Sequence, residues 1–305
     1  MLLSNKSRAK PELSFEAIGT SWEIELFEPV PADQLRLLGA AINVRIDQFD
    51  HHYSRFRPDS LVTAMGMRSG TYQLPSDAQP LFDLYLDIYR ATNGAVTPLV
   101  GQLLSDAGYN ATYSLKPGRL HRAPSWEEML EYDYPLLTLK QPVLLDLGAA
   151  GKGYLVDIVA DLIESRGISS YCVNAGGDLL YRHAGHEKLE VGLEHPTKPR
   201  QVIGVAHLRN QSLCGSASNR RAWGKFHHII DPLKLTSPRH IRAVWVTAGT
   251  TMLADALTAA LFFTPAKSLA LRYKFEYAII YQDYSLEHSP GFPADFFTSN
   301  QSRPS

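Results

Sequence analysis

The sequence predicts an α+β fold, with a mixed, largely antiparallel sheet core flanked by helices. Three observations carry that reading. Strand-like runs follow one another between residues 170 and 208 with no helix between them, whereas a doubly wound sheet alternates strand and helix. Helical stripes of 3.6-residue spacing lie on both sides of those runs. The chain has 305 residues, 45% of them apolar and 20% charged, which suits a substantial globular core.

The elements follow in order. Residues 15–27 alternate well enough for one strand. From Asp33 to Phe49, Leu35, Leu38, Ile42, Ile46 and Phe49 share one helical stripe. Ser76 is the expected cap of a second helix, with Pro80 in its first turn and Asn93-Gly94 closing it. A long irregular stretch follows. The apolar run 143–147 reads as a strand leading into a glycine-rich turn, 148–153. The helix beyond that turn points Leu155, Val159 and Leu162 inward and ends at Gly167. Strands are predicted at 170–173, 179–181, 189–193, 202–208 and 241–247. Helices over 252–263 and 265–273 and a last buried strand over 277–281 complete the chain. The polar ends, 1–14 and 293–305, are expected to be mobile, leaving 15–292 as one compact unit.

A net charge of -1 gives no electrostatic case for nucleic acid or an anionic membrane. Two cysteines, Cys172 and Cys214, lack the number and spacing of a disulfide framework or zinc site and read as free, packed thiols. The start, MLLSNKSRAK, has its leucines before its charges, which is not the order of a secretory signal. No lipid-attachment cysteine lies near it and no window is apolar enough to span a bilayer. The chain as it stands reads as soluble, unexported and cytoplasmic.

Four stretches could carry chemistry. Asp146-Leu-Gly-Ala-Ala-Gly-Lys-Gly-Tyr-Leu-Val-Asp157 joins a glycine turn to a helix start, where free N–H groups and Lys152 could cradle an anion. It matches neither a Walker loop nor a dinucleotide fingerprint, and a plain tight connection explains it as well. Asn174-Ala-Gly-Gly-Asp178 allows positive φ or a close ligand approach, or simply turns one strand into the next. Arg220-Arg221 precedes His227-His228-Ile-Ile-Asp231-Pro232. Adjacent strand histidines face opposite ways, so both cannot face one site without a bend; one could be a base or ligand, or the pair is simply solvated or satisfied in the core. Asp255, among alanines and leucines, is costly to bury alone and is expected to be capping, paired or metal-bound.

Taken together, these stretches resemble in order and spacing the motif series of the ApbE family of FAD:protein FMN transferases. The N-terminal half agrees. Ile18-Gly-Thr20 resembles the family's Met-Gly-Thr, Ser54-Arg-Phe-Arg-Pro-Asp-Ser60 its Ser/Tyr-rich segment, and Asn93-Gly-Ala-Val-Thr-Pro-Leu-Val-Gly101 its Asn-Gly-Ala-Phe-Asp-Pro-Thr-Val-Gly. The likeness spans roughly residues 15–292.

The resemblance implies two lobes around a flavin cleft. It implies magnesium-dependent cleavage of the FAD pyrophosphate, with FMN passing to a Thr or Ser hydroxyl of an acceptor protein and AMP released. It implies Asp255 as the chief metal carboxylate and the Ala149 carbonyl as a second ligand. Asp146 and Lys152 would line the FAD site, Ile18 and Phe56 would pack the flavin, and Val96, Thr97 and Ile230 would touch FAD. His228 would deprotonate the acceptor hydroxyl. The family's metal-binding threonine is Ala259 here, and Thr258, one place earlier, is the expected stand-in. That departure keeps open an FAD carrier or sensor without turnover, or a pyrophosphatase giving FMN and AMP. Members of the family are often exported.

Overall fold

A computed structural model describes residues 11–297 except Pro199. Its first pair of strands corrects the reading of one long strand. β1 (Glu12–Ala17) and β2 (Thr20–Leu26) form a hairpin whose two-residue turn is Ile18-Gly19, both at positive φ, 46° and 73°. That is the turn type whose twist matches paired strands.

Next come α1 (Ala32–Tyr53), α2 (Leu61–Met67), β3 (Gly70–Gln73), α3 (Gln79–Ala91), α4 (Gly101–Asp106), α5 (Trp126–Met129), β4 (Leu130–Asp133) and β5 (Leu136–Leu139). The stripe of α1 is buried as predicted at Leu38, Ile42, Ile46 and Phe49. α3 starts from Ala78 rather than Ser76 and has no side-chain cap, with Pro80 in its first turn. Asn93 and Gly94 close it at positive φ.

The run 143–147 is extended and buried at alternate residues but joins no sheet. Its amides bond to loop and helix carbonyls, Val143 to Met65 at 3.1 Å and Asp146 to Pro98 at 2.8 Å. The second half contains α6 (Gly151–Glu164), β6 (Tyr171–Ala175), β7 (Asp178–Arg182), β8 (Leu189–Glu194) and β9 (Val202–Leu208). It continues through β10 (Ser212–Ala217), β11 (Ala222–Trp223), β12 (Phe226–His227), β13 (Ile241–Ala248) and α7 (Thr251–Ala260). It ends with α8 (Ala266–Leu269), β14 (Phe275–Tyr281), β15 (Leu286–His288) and β16 (Ala294–Phe296).

The central sheet has the order β1-β2-β6-β7-β10-β13-β14-β15, and each neighbouring pair is antiparallel. The α+β expectation therefore holds. The middle strands are buried on both faces because alternate residues serve different cores. On one face Val173, Leu180, Cys214, Val244 and Val246 pack with the apolar sides of α1, α3, α6 and α7. On the other, Cys172, Leu179, Tyr181, Leu213 and Trp245 pack against Val191, Leu193, Ala206 and Leu208 of the small sheet β16-β9-β8. Both cysteines are buried and neither forms a disulfide, as expected.

Two boundaries move outward. Residues 12–14 belong to β1 and 294–296 to β16, because each segment pairs with a neighbouring strand. The remaining expected mobile ends, 1–10 and 298–305, lie outside the described residues. Among the described residues no helix is long and apolar enough to cross a membrane.

Candidate active site

The glycine turn before α6 is built by Asp146. One of its carboxylate oxygens accepts the Gly148 N–H at 2.8 Å and the other pairs with the Arg55 guanidinium. Both oxygens are thus engaged in shaping the turn. Asp146 borders the cleft as expected, but as its scaffold. Lys152, in the first turn of α6, pairs with Asp178, which is almost fully buried. The glycine motif at 146–157 is thereby tied to the motif at 174–178. In that second motif Gly176 and Gly177, at φ 60° and 103°, form the two-residue turn between β6 and β7. A Cβ on Gly176 would run into the Thr20 side chain, so the turn packs directly on the Ile18-Gly-Thr20 hairpin.

Asp255 lies in the second turn of α7 and is buried. It is not the first-turn residue that a helix dipole would favour. That position's work is done by Asp157 from α6, which accepts the Thr251 and Met252 amides at 2.8 Å each. Asp255 instead accepts the Gly153 N–H at 2.9 Å through Oδ2. Burial raises its carboxyl above the ordinary carboxylate range, opposed by Lys152, that N–H and Arg221. Its Oδ1 has no donor among the described residues, and the side chain borders the cleft.

Thr258, the expected stand-in, borders the cleft but is engaged within the fold. Its hydroxyl donates to the Asp255 carbonyl at 2.7 Å and bonds the Ser216 hydroxyl of β10 at 2.8 Å, in a fully buried position. It fastens α7 to the sheet. The residue four places after Asp255, on the same helix face, is Ala259, which is half-buried at the cleft.

The two histidines part as their spacing requires. His227 is buried and satisfied, with Nε2 on the Pro238 carbonyl at 2.9 Å and Nδ1 accepting the Ile229 N–H at 3.3 Å. His228 borders the cleft with Nδ1 3.2 Å from the Arg220 carbonyl. A carbonyl only accepts, so Nδ1 carries the proton of the neutral ring and Nε2 keeps its lone pair. Burial, then Arg221 and His227, push the imidazole down to about 3, so it is neutral at pH 7.

The residues to which the family resemblance gives roles all border one cleft of about 710 Å³: Ile18, Phe56, Val96, Thr97, Asp146, Ala149, Lys152, His228, Ile230, Asp255 and Thr258. Ile18 is a β-branched residue held at φ 46°, an uncommon conformation of the kind that clusters at ligand clamps. Val96 and Ile230 are buried walls. The Thr97 hydroxyl caps the short 3₁₀ turn at Pro98–Val100 through the Leu99 amide at 3.2 Å. The Ala149 N–H donates to the Tyr85 hydroxyl at 3.2 Å.

Sequence reasoning missed Arg55, Tyr109 and Tyr113. The Arg55 guanidinium lies 4.2 Å from the Phe56 ring centroid, and Tyr113 stacks on that ring at 5.3 Å. Tyr109 meets Phe56 edge-on at 5.5 Å. Both tyrosines fall in the irregular stretch, where no periodicity marks them.

Fold and site define an α+β protein with a deep cleft. Its walls carry an aromatic cluster, two glycine turns, a buried carboxylate and a neutral imidazole. The model of the ApbE family matches residues 18–279. The FAD:protein FMN transferase of Klebsiella pneumoniae (strain 342) is 28% identical over 272 residues, covering 80% of this chain and 75% of that protein. That of Treponema pallidum (strain Nichols) is 26% identical over 298 residues, covering 85% and 80%. The ApbE protein of Thermotoga maritima superposes with a TM-score of 0.78 at 23% identity, covering 92% of this chain and 96% of its own. The flavin transferase ApbE of Vibrio cholerae gives 0.75 at 21%, covering 91% and 96%. The chain belongs to the ApbE family.

Proposed function

We propose that this chain is an FAD:protein FMN transferase that cleaves the FAD pyrophosphate, passes FMN to a Thr or Ser hydroxyl of an acceptor protein and releases AMP. The observation that carries the reading is the convergence of His228, Asp255 and the glycine turn at Ala149 on one cleft large enough for a dinucleotide. Membership of a family whose curated relatives bear that activity as their name supports it. The functional unit is assigned to residues 15–292, extended by the pairing of residues 12–14 and 294–296.

Phe56, with Ile18 at its strained turn, offers an apolar platform for the flavin, and Val96, Thr97 and Ile230 close the wall beside it. His228 takes the proton of the acceptor hydroxyl on Nε2 as the hydroxyl oxygen bonds to the FMN phosphorus. The bond from that phosphorus to the bridging oxygen breaks, and AMP leaves with the oxygen. The ring is neutral before the step and so can accept a proton, although burial, Arg221 and His227 make it a weaker base than a free imidazole.

Among the described residues no group of three or more His, Cys, Asp or Glu could hold a metal. The donors available are the free Oδ1 of Asp255 and the Ala149 carbonyl. That set fits magnesium, which is commonly held by one or two carboxylates together with substrate phosphates. When bound there it would neutralise charge on the pyrophosphate and the departing AMP. Thr258 is assigned to packing, and Ala259 brings no oxygen to the cation.

Ala259 is the specific observation that favours a second reading, FAD binding without turnover. Chromatography of a reaction with FAD, magnesium and acceptor separates the outcomes. The transferase gives flavin-labelled acceptor and AMP. FMN with AMP would replace it by a pyrophosphatase, and intact FAD by a carrier.

A further inference from the structure

We propose that Arg221 binds the pyrophosphate of the dinucleotide in this cleft, an inference that rests on FAD being its substrate. The cations bordering the cleft are Arg55, Arg57, Lys152, Arg220 and Arg221. Carboxylates of the protein already neutralise four of them. Arg55 pairs with Asp146, Arg57 with Asp47, Asp50 and Asp59, Lys152 with Asp178, and Arg220 with Glu194. Arg221 is exposed and has neither ion pair nor hydrogen bond among the described residues. A pyrophosphate diester is doubly charged, and the paired cations have little charge left to offer it. Arg55 keeps one buried Nη2 without a hydrogen-bond partner, but Asp146 offsets its charge. Arg221 is the cation on these walls that pairs with no carboxylate among the described residues, and its planar fork suits phosphate oxygens.

Its placement is built. Arg221 holds the left-handed region at φ 48°, in the turn between β10 and β11. The next residue but one, Trp223, anchors that turn. Its indole N–H donates to the Ala107 carbonyl at 2.7 Å, and its ring stacks on Tyr109 at 5.7 Å. From there the Arg221 charge acts on Asp255, His228 and Tyr109, favouring the ionised carboxyl and phenol and the neutral imidazole. It borders the same cleft as the carboxylate, the base and the aromatic wall, the cleft in which a flavin-linked pyrophosphate would lie. This charge needs no divalent cation in order to act on a phosphate.

The test is equilibrium binding of FAD and of riboflavin to the full chain in chelator, for wild type, Arg221→Gly and Arg221→Lys. Glycine suits the left-handed backbone, so the deletion does not strain the turn. Arg221→Gln gives the same readout should the glycine variant not fold. Arg221→Gly is expected to weaken FAD about 10- to 100-fold, the scale of a charge-assisted hydrogen bond. Riboflavin, which has no phosphate, should change by less than about twofold, and lysine, which supplies the charge without the fork, should restore part of the FAD affinity. FAD affinity unchanged in Arg221→Gly, or an equal loss of both ligands, would overturn the proposal. Wild-type protein that binds no FAD would overturn the reading of the site as well.

Discussion

Two glycines, two residues apart in the turn into α6, should respond oppositely to the same substitution. A Cβ on Gly153 would lie 2.7 Å from the Asp255 Cβ and closer still to the Thr251 carbonyl oxygen. Carbon atoms pack at about 3.5–4.0 Å, so the helices must part by roughly 1 Å. α7 resists that movement, because Asp157 holds its first two amides at 2.8 Å. Overpacking of this kind costs about 1–3 kcal/mol, at the upper end where backbone is struck. Replacing glycine by alanine in a helix returns about 1 kcal/mol. Gly153→Ala is therefore expected to lose about 2 kcal/mol, roughly 4 °C in melting temperature for a chain of this size. At Gly151 the added Cβ would meet Leu147 at 3.8 Å and Phe49 at 3.9 Å, ordinary contact distances. Gly151→Ala should then gain up to about 1 kcal/mol from the helix alone. Thermal and urea unfolding of the two variants in chelator decide the matter. Gly153→Ala as stable as Gly151→Ala would refute the close seam between α6 and α7 on which the position of Asp255 depends.

The remaining predictions concern ionisation. His228 binds a proton in the folded protein only near pH 3, whereas in the unfolded chain it does so near 6.5. Its contribution to stability is therefore full above about pH 6.5 and is lost as pH falls towards 3. His228→Asn should flatten that part of the profile in urea titrations between pH 7 and 4, and parallel curves would count against a neutral, desolvated ring. For Asp255 the sign is reversed, since its carboxyl is raised on folding. The metal-free fold loses stability as pH rises through that value. Asp255→Asn removes the loss and should stabilise the metal-free protein at neutral pH by about 1 kcal/mol, as replacing a functional buried charge commonly does. Destabilisation in chelator would mean that the carboxylate is structural.

Long or strongly patterned elements were legible in the sequence. The stripe of α1, the glycine-led α6 and the strand 202–208 needed no tertiary information, since each shows its period over several residues. The stretch from α2 to β5 was not legible. Its helices of four to seven residues and strands of four are shorter than the windows in which a period shows, α3 excepted. The turn at Ile18 was missed because isoleucine is a poor left-handed residue and carries no turn chemistry. In the site, the motifs located His228, Asp255 and the glycine turn. They could not reveal what occupies each side chain. Asp146 is engaged by an arginine 91 residues away, and Thr258 by a serine on another element. Pairings over such separations belong to the fold. The unpaired state of Arg221 became visible only once the partners of its neighbours were known.

The most direct test of the account measures AMP released from FAD by wild type and by Asp255→Asn, with and without magnesium, alongside FAD binding by both. Wild type should release AMP only with the cation. Asp255→Asn should still bind FAD and release AMP at least about 100-fold more slowly, the equivalent of several kcal/mol of charge stabilisation. Release by the variant at the wild-type rate, or by wild type in chelator, would contradict the assignment of Asp255 as the carboxylate on which this chemistry turns.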